Sequence, residues 1–371
     1  MSNFIIFKTK IGSDFCNVSF YVKLTFMNYP TVKKAILQEE IKEGQACLTA
    51  RQVRCVLCER RCVIKEGKTG VCKTRKNING CLYTLVYGDI SALEARPIEI
   101  KPFFHFYPGS RALTFSTWSC NFDCPWCQNW HLSKNAPNPG SARFIEPELM
   151  VEIAQQEKTD GLCISFQEPT VLFEYALDVF KLAKKKGLYN TFVSNGYMTL
   201  EALKLLKEAG MDAINIDIKG DKQVYKEYLG AREEVIWRNA KAAKEMGMHV
   251  EMVHLIVSGL NDELKKIKKI VEKHLKYLGP QTPLHFTRYF PAYNYHKPPT
   301  AISILEQAYT LAQKKGVLFP YIGNIPGHHG ENTYCPHCYS LLIKRHGWQV
   351  VENYLTQNTC PFCGQYIPVV I

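Results

Sequence analysis

No stretch of the 371-residue sequence stays apolar for the roughly 20 residues that a membrane-crossing helix needs. The opening MSNFIIFKTK does not run through a basic segment, a long apolar segment and a small-residue cleavage site, so export is not expected. Acidic residues are in deficit, 34 against 46 lysines and arginines, which leaves a formal charge of +12. At 46% hydrophobic and 12% aromatic, the chain is too apolar for a disordered or fibrous class. A cytoplasmic protein with a large core and no membrane partner is expected, and its positive balance is read first as a solvated lysine-rich surface. An RNA-binding scaffold is the other reading of that charge, but no recognisable RNA-binding motif accompanies it. Nucleic acid is therefore not the expected partner.

What the sequence has in plenty is cysteine. Fifteen of them, with no export pattern, argue for thiolate metal ligands rather than disulfides. Cys335, Cys338, Cys360 and Cys363 form two C-x2-C knuckles, a donor set suited to tetrahedral zinc in a terminal module too short to own much core. His337 lies inside one knuckle but is not required. Cys55, Cys58, Cys62 and Cys72 have the ligand count for another metal. Zinc is the first reading there because it needs no redox role; an auxiliary iron–sulfur cluster and free thiols are the alternatives. Cys120, Cys124 and Cys127 form C-x3-C-x2-C, which can hold three irons of a cubane and leave the fourth open, or make an incomplete zinc site. Cys16, Cys47, Cys81 and Cys163 are scattered and read as ordinary small residues.

Along the chain, residues 1–50 read as an N-terminal extension whose aromatic segment SFYVKLTFMNYP could supply an extra strand. Residues 51–110 read as a cysteine-rich module and linker, 111–325 as a core and 326–371 as a zinc-ribbon-like module. Within the core, strand candidates at 112–117, 161–166, 189–193, 213–218, 249–257 and 283–289 alternate with helical stretches. In EALKLLKEAG the apolar residues recur at helical spacing and Gly210 ends the run. Parallel strands joined by crossover helices are implied, an α/β fold. Six such units favour a partial or full (βα) barrel, and a doubly wound sheet stays open because strand order is invisible in the sequence.

STWSCNFDCPWCQNW, with Trp126 just before the third cysteine, resembles the cluster loop of radical S-adenosylmethionine (SAM) enzymes. The resemblance implies a [4Fe-4S] cluster on Cys120, Cys124 and Cys127, with SAM bound at its open iron. It carries Glu168 of SFQEPT onto the acidic position that grips the methionyl amino group, although Gln167 stands where the family has glycine. Ser194, Asn195 and Gly196 resemble the segment that contacts the ribose and carboxylate. Asp217 and Lys219 of NIDIKG match the Asp-x-Lys signature of relatives of pyruvate formate-lyase-activating enzyme. Alternation puts those two side chains on one strand face, where they could also be a plain salt bridge. His254, His285 and Arg288, at later strand ends, are candidate substrate contacts; a core histidine and an unliganded arginine are the competing readings.

From about Val53 onward the chain resembles the radical SAM enzyme of the AmmeMemoRadiSam system, a family related to glycyl-radical-enzyme activases. The stretches CVLCERRCVIKEGKTGVCKTRKNINGCLYTLVYG, PIEIKPFFHFYPGSRALTF and YIGNIPGHHGENTYCPHC carry that likeness. It implies reductive cleavage of SAM to a 5′-deoxyadenosyl radical, hydrogen abstraction from an unnamed substrate, and an electron donor such as ferredoxin or flavodoxin. AMMECR1-family and Memo-family proteins are the implied partners. Glycyl-radical activation of a partner protein and modification of a small molecule or peptide are both open, and a monomer is expected.

Overall fold

The structure, a computed structural model, describes residues 28–41 and 51–371. Most of the aromatic segment expected as an extra strand, together with Cys16 and Cys47, lies outside these residues. Among the described residues no helix is long and apolar enough to cross a membrane.

The core is one eight-stranded sheet: β1 (Ala92–Pro97), β2 (Arg111–Ser116), β3 (Gly161–Ile164), β4 (Tyr189–Ser194), β5 (Ala213–Ile218), β6 (His249–Ile256), β7 (Leu284–Arg288) and β8 (Pro320–Gly323). Strands β2 to β8 are parallel and β1 pairs antiparallel with β2. Spatial order follows chain order throughout. No point exists where the order reverses, which removes the doubly wound alternative. Strands β1 and β8 are the two free edges, so the barrel is partial.

Seven helices flank these strands: α1 (Pro147–Gln156), α2 (Phe173–Lys185), α3 (Leu200–Ala209), α4 (Lys222–Leu229), α5 (Glu233–Glu245), α6 (Leu264–Leu278) and α7 (Ile302–Lys315). Local chemistry explains their limits. Thr199 caps α3 by accepting from the Ala202 N–H, and Gly210 ends it with φ +108°. In α6 the apolar Ile267, Ile270, Val271 and Leu278 are buried while the intervening lysines face water. Burying those stripes against the sheet forms one continuous core.

Two elements close the structure around the barrel. The 98–107 segment crosses the ends of the strands opposite the cluster loop: the Phe104 and His105 N–H groups donate to Glu251, and Phe103 and Phe106 pack beside His249. Arg345 of the C-terminal module donates to the Phe104 carbonyl at 2.8 Å and lies 3.7 Å from the buried Glu99 carboxylate. That module is a three-stranded antiparallel sheet, Thr333–Tyr334, Leu341–His346 and Gln349–Asn353. At the other end, two small antiparallel sheets built from residues 33–84 carry the N-terminal cysteines. The segment expected as a linker before residue 111 therefore contributes β1 and the 98–107 closure.

Candidate active site

The loop leaving β2 carries Cys120, Cys124 and Cys127 into a cavity at the C-terminal ends of the parallel strands. Ser119, which begins the loop, holds φ +72° and is fixed on both sides: its N–H donates to the Leu132 carbonyl and its hydroxyl to the Cys72 carbonyl at 2.7 Å. Phe122 N–H points at the Cys120 sulfur, and the Ser133 hydroxyl lies 3.1 Å from that of Cys127. Trp126 is 2% exposed and packs edge-on against Tyr228 and Tyr295, which seats the third cysteine. Burial pushes the Cys124 thiol up to about 11, and the Lys219 ammonium pulls the other way. Such thiols need a strong positive partner to ionise. A metal supplies one.

The next three strand ends complete the cavity. After β3, Phe166 takes φ +75°, a strained geometry for an aromatic residue, and its carbonyl accepts from the Asn129 amide at 2.7 Å. Gln167 and Glu168 follow. Glu168 Oε1 accepts from the Thr170 N–H, the Thr170 hydroxyl and Ser194 Oγ, while Oε2 accepts from the Asn195 N–H at 2.8 Å. Burial raises the Glu168 carboxyl despite these four donors. The residue ties β3 to β4, and a ligand ammonium could reach it by turning a hydroxyl aside.

Gln167 is different. It is 7% exposed, lines the same cavity, and neither its Nε2 nor its Oε1 has a partner. Two orphaned polar atoms on a cavity-lining residue mark a place where a polar ligand would fit. The signal in the sequence is the departure from the family's glycine at this position.

Asn195 donates from Nδ2 to the side-chain oxygen of Asn121 at 2.7 Å. Gly196 makes the turn beyond it at φ +69°, where an added Cβ would come within 2.9 Å of Ile216. From β5, Asp217 and Lys219 both reach the cavity and form an ion pair with each other. Burial works against the Lys219 charge, but Asp217 and the Cys124 thiol outweigh it and raise its affinity for the proton. Asp217 Oδ1 is buried without a partner, a third orphan facing the site.

The three later candidates are placed differently. Asp217 pairs in register with Val253, and Ile218 with His254. Neighbouring residues of parallel strands point the same way, so His254 faces the helices rather than the cavity. Its Nδ1 meets the Ile218 carbonyl at 3.1 Å. His285 is also buried, 2.6 Å from Glu251 Oε2 and stacked on Tyr321, beside a second cavity that Glu99 and Thr287 help to line. Gln128 lines both cavities. Arg288 donates to the Thr300 carbonyl and lies over Phe290.

The terminal cysteine groups differ in geometry. Cys335, Cys338, Cys360 and Cys363 form a metal-binding cluster, with all four sulfurs within 4.8 Å of one another. The Cys335–Cys363 and Cys338–Cys360 sulfur separations are 3.6 and 3.7 Å. Among the described residues this is the one such group. Cys55, Cys58, Cys62 and Cys72 share one apolar cavity but do not form that tight set, so the compact single-ion site expected there is not what the residues make.

Residues 116–273 match the Radical SAM superfamily. The uncharacterized protein MJ0808 of Methanocaldococcus jannaschii is 41% identical over 327 residues, covering 87% of this chain and 97% of that protein. Pyruvate formate-lyase-activating enzyme of Clostridium pasteurianum is 26% identical over 172 residues, 44% of this chain and 68% of that enzyme. Among solved structures, Streptococcus suis SuiB bound to S-adenosylmethionine aligns with 61% of this chain and 55% of its own, at 13% identity and a TM-score of 0.47. The chain belongs to the radical SAM superfamily, in one family with the Methanocaldococcus protein and homologous at low identity to pyruvate formate-lyase-activating enzymes.

Proposed function

We propose that this protein holds a [4Fe-4S] cluster on Cys120, Cys124 and Cys127 and cleaves SAM reductively, so that a hydrogen atom is taken from a substrate. One observation carries the reading: the three thiols share a cavity with the unpartnered polar atoms of Gln167 and Asp217. When bound, the cluster and SAM supply one-electron cleavage of a carbon–sulfur bond to methionine and a 5′-deoxyadenosyl radical. The chain's own residues bind and orient. Gln167 offers a donor and an acceptor to the zwitterionic end of SAM, and Asp217 with Lys219 presents a paired charge to it. Glu168, Ser194 and Asn195 hold the ends of β3 and β4 at the spacing the ligand meets. Trp126, Tyr228 and Tyr295 cover the cluster loop and limit water.

The C-terminal group is assigned zinc. A tetrahedron with Zn–S bonds of about 2.3 Å has sulfur–sulfur edges of about 3.8 Å. The observed separations of 3.6 and 3.7 Å agree with one ion rather than a cubane. Its role is to seat Arg345 against the barrel closure.

Glycyl-radical activation is the first candidate for the hydrogen donor, supported by the Asp217/Lys219 segment and by relatives named as activating enzymes. The stretches resembling the AmmeMemoRadiSam branch support AMMECR1-family and Memo-family proteins as partners. Anaerobic incubation with SAM, reductant and such a partner, followed by EPR, tests this. A glycyl radical on the partner supports activation; turnover of a small metabolite with no partner radical opposes it.

A further inference from the structure

Four cysteines of the N-terminal module surround one small cavity whose wall is almost wholly apolar, lined also by Arg60, Arg75 and Asn121. Cys55 and Cys58 are buried, Cys62 and Cys72 half-buried. Arg75 adds a fully buried guanidinium, held by Glu174 at 2.7 Å, beside the sulfurs. Four thiolates around an iron or zinc core leave net negative charge, and a buried cation is its natural counterweight.

Spacing then separates the metals. Four thiolates on one zinc must crowd to about 3.8 Å from each other. A cubane gives each thiolate its own iron, so the sulfurs stand farther apart. No three of these four sulfurs lie mutually within 4.8 Å, whereas the C-terminal four all do. Cys120, Cys124 and Cys127 likewise form no set within that limit.

The two cysteine sites also adjoin. Asn121 follows Cys120 in sequence, lines the N-terminal cavity, and has a buried Nδ2 with no acceptor. Its Oδ1 accepts from Asn195 in the active site at 2.7 Å. Arg60 donates to the Asn121 carbonyl at 3.0 Å, and the Ser119 hydroxyl to that of Cys72. From this convergence we infer that Cys55, Cys58, Cys62 and Cys72 hold a second [4Fe-4S] cluster, set directly behind the first and separated from it by Asn121. The site stands on its own residues; its position behind a reactive cluster rests on the radical SAM reading.

The test is iron, sulfide and zinc analysis of the full chain after anaerobic iron–sulfur reconstitution, with EPR of the reduced protein. Wild type should carry about eight irons, eight sulfides and one zinc. The Cys120→Ala/Cys124→Ala/Cys127→Ala variant should keep about four irons and an EPR signal that SAM does not alter. Cys58→Ser/Cys62→Ser should lose a comparable share while its remaining signal still responds to SAM. If wild type holds about four irons and two zincs, and the triple variant holds no iron, the second cluster is overturned. If wild type holds about four irons and the triple variant keeps them all, the second cluster stands and the radical SAM reading fails. Retention of one zinc reports that a variant is folded. Should a variant not fold, wild-type spin quantitation decides: two spins per chain, one shifted by SAM, support the inference, and a single SAM-responsive spin contradicts it.

Discussion

The side chain of Asn195, at the end of the third parallel strand, donates to that of Asn121, the residue after the first cluster-loop cysteine, at 2.7 Å. Both are buried. This bond fixes the cysteine loop to the strand end that resembles the ribose- and carboxylate-contacting segment, so under the proposed function one pair would set the positions of both cluster and ligand.

Breaking that pair has a defined consequence. Asn195→Ala removes the amide donor to buried Asn121 Oδ1, leaving it only the weak Cys120 thiol contact at 3.8 Å, a cost of about 1–3 kcal/mol. The account expects SAM affinity to fall by roughly tenfold or more for a loss of that size. Iron content should be unchanged, because no thiolate is removed. Calorimetric SAM titration beside iron analysis checks both halves.

Gln167→Leu should separate binding from stability. Both polar atoms of Gln167 lack partners in the protein, so replacing them should leave the unfolding midpoint equal or slightly raised. SAM binding should weaken by about 5- to 100-fold if the amide meets the ligand. Unchanged affinity would remove Gln167 from the site.

Arg75 and Glu174 form a buried ion pair at 2.7 Å, with 1% and 6% side-chain exposure. Arg75→Met strands the carboxylate and should cost about 3–5 kcal/mol in urea unfolding. In the metal-free chain, Arg75→Met/Glu174→Leu should recover much of that loss, since an apolar pair of similar volume avoids the stranded charge. Additive losses would show that the pair is not the stabilising unit.

Acid should destabilise the fold through two buried histidines, His274 and His105. Burial lowers His274 from 6.5 to about 4 and His105 to about 3. His274 already uses Nε2 on the Thr282 carbonyl, and its buried Nδ1 has no partner for a proton. The folded values lie below the unfolded ones, so the unfolded chain takes up protons first. The stability present above about pH 6.5 is lost as pH falls toward 4 and 3. Between pH 7 and 5 the urea midpoint should drop, and His274→Leu should flatten that slope. An unaltered slope would place the sensitivity elsewhere.

The strands and helices of the core were legible because short apolar runs, buried on both faces, alternate with longer segments whose apolar residues recur at helical spacing. Two elements were not. The β1 segment ALEARP is half-buried along most of its length and shows no clean alternation. Strand β8 is bounded by Pro320 and Gly323, which leave only Tyr321 and Ile322 to mark a strand. Helix α4 did leave a signal, Asp221 capping its start and Gly230 its end. At the site, the cysteine loop and the Glu168, Asn195 and Asp217 positions follow local motifs and are visible in sequence. The direction of His254 is not, because it depends on strand register. Nor is the Asn121–Asn195 bond, which joins residues 74 positions apart.

SAM cleavage by the reconstituted protein tests the central claim most directly. Anaerobic protein with an intact cluster, given SAM and a low-potential reductant, should release methionine and 5′-deoxyadenosine in equal amounts. The Cys120→Ala/Cys124→Ala/Cys127→Ala variant should release neither. Absence of iron–sulfur absorption and of SAM binding in carefully reconstituted wild type would contradict the account.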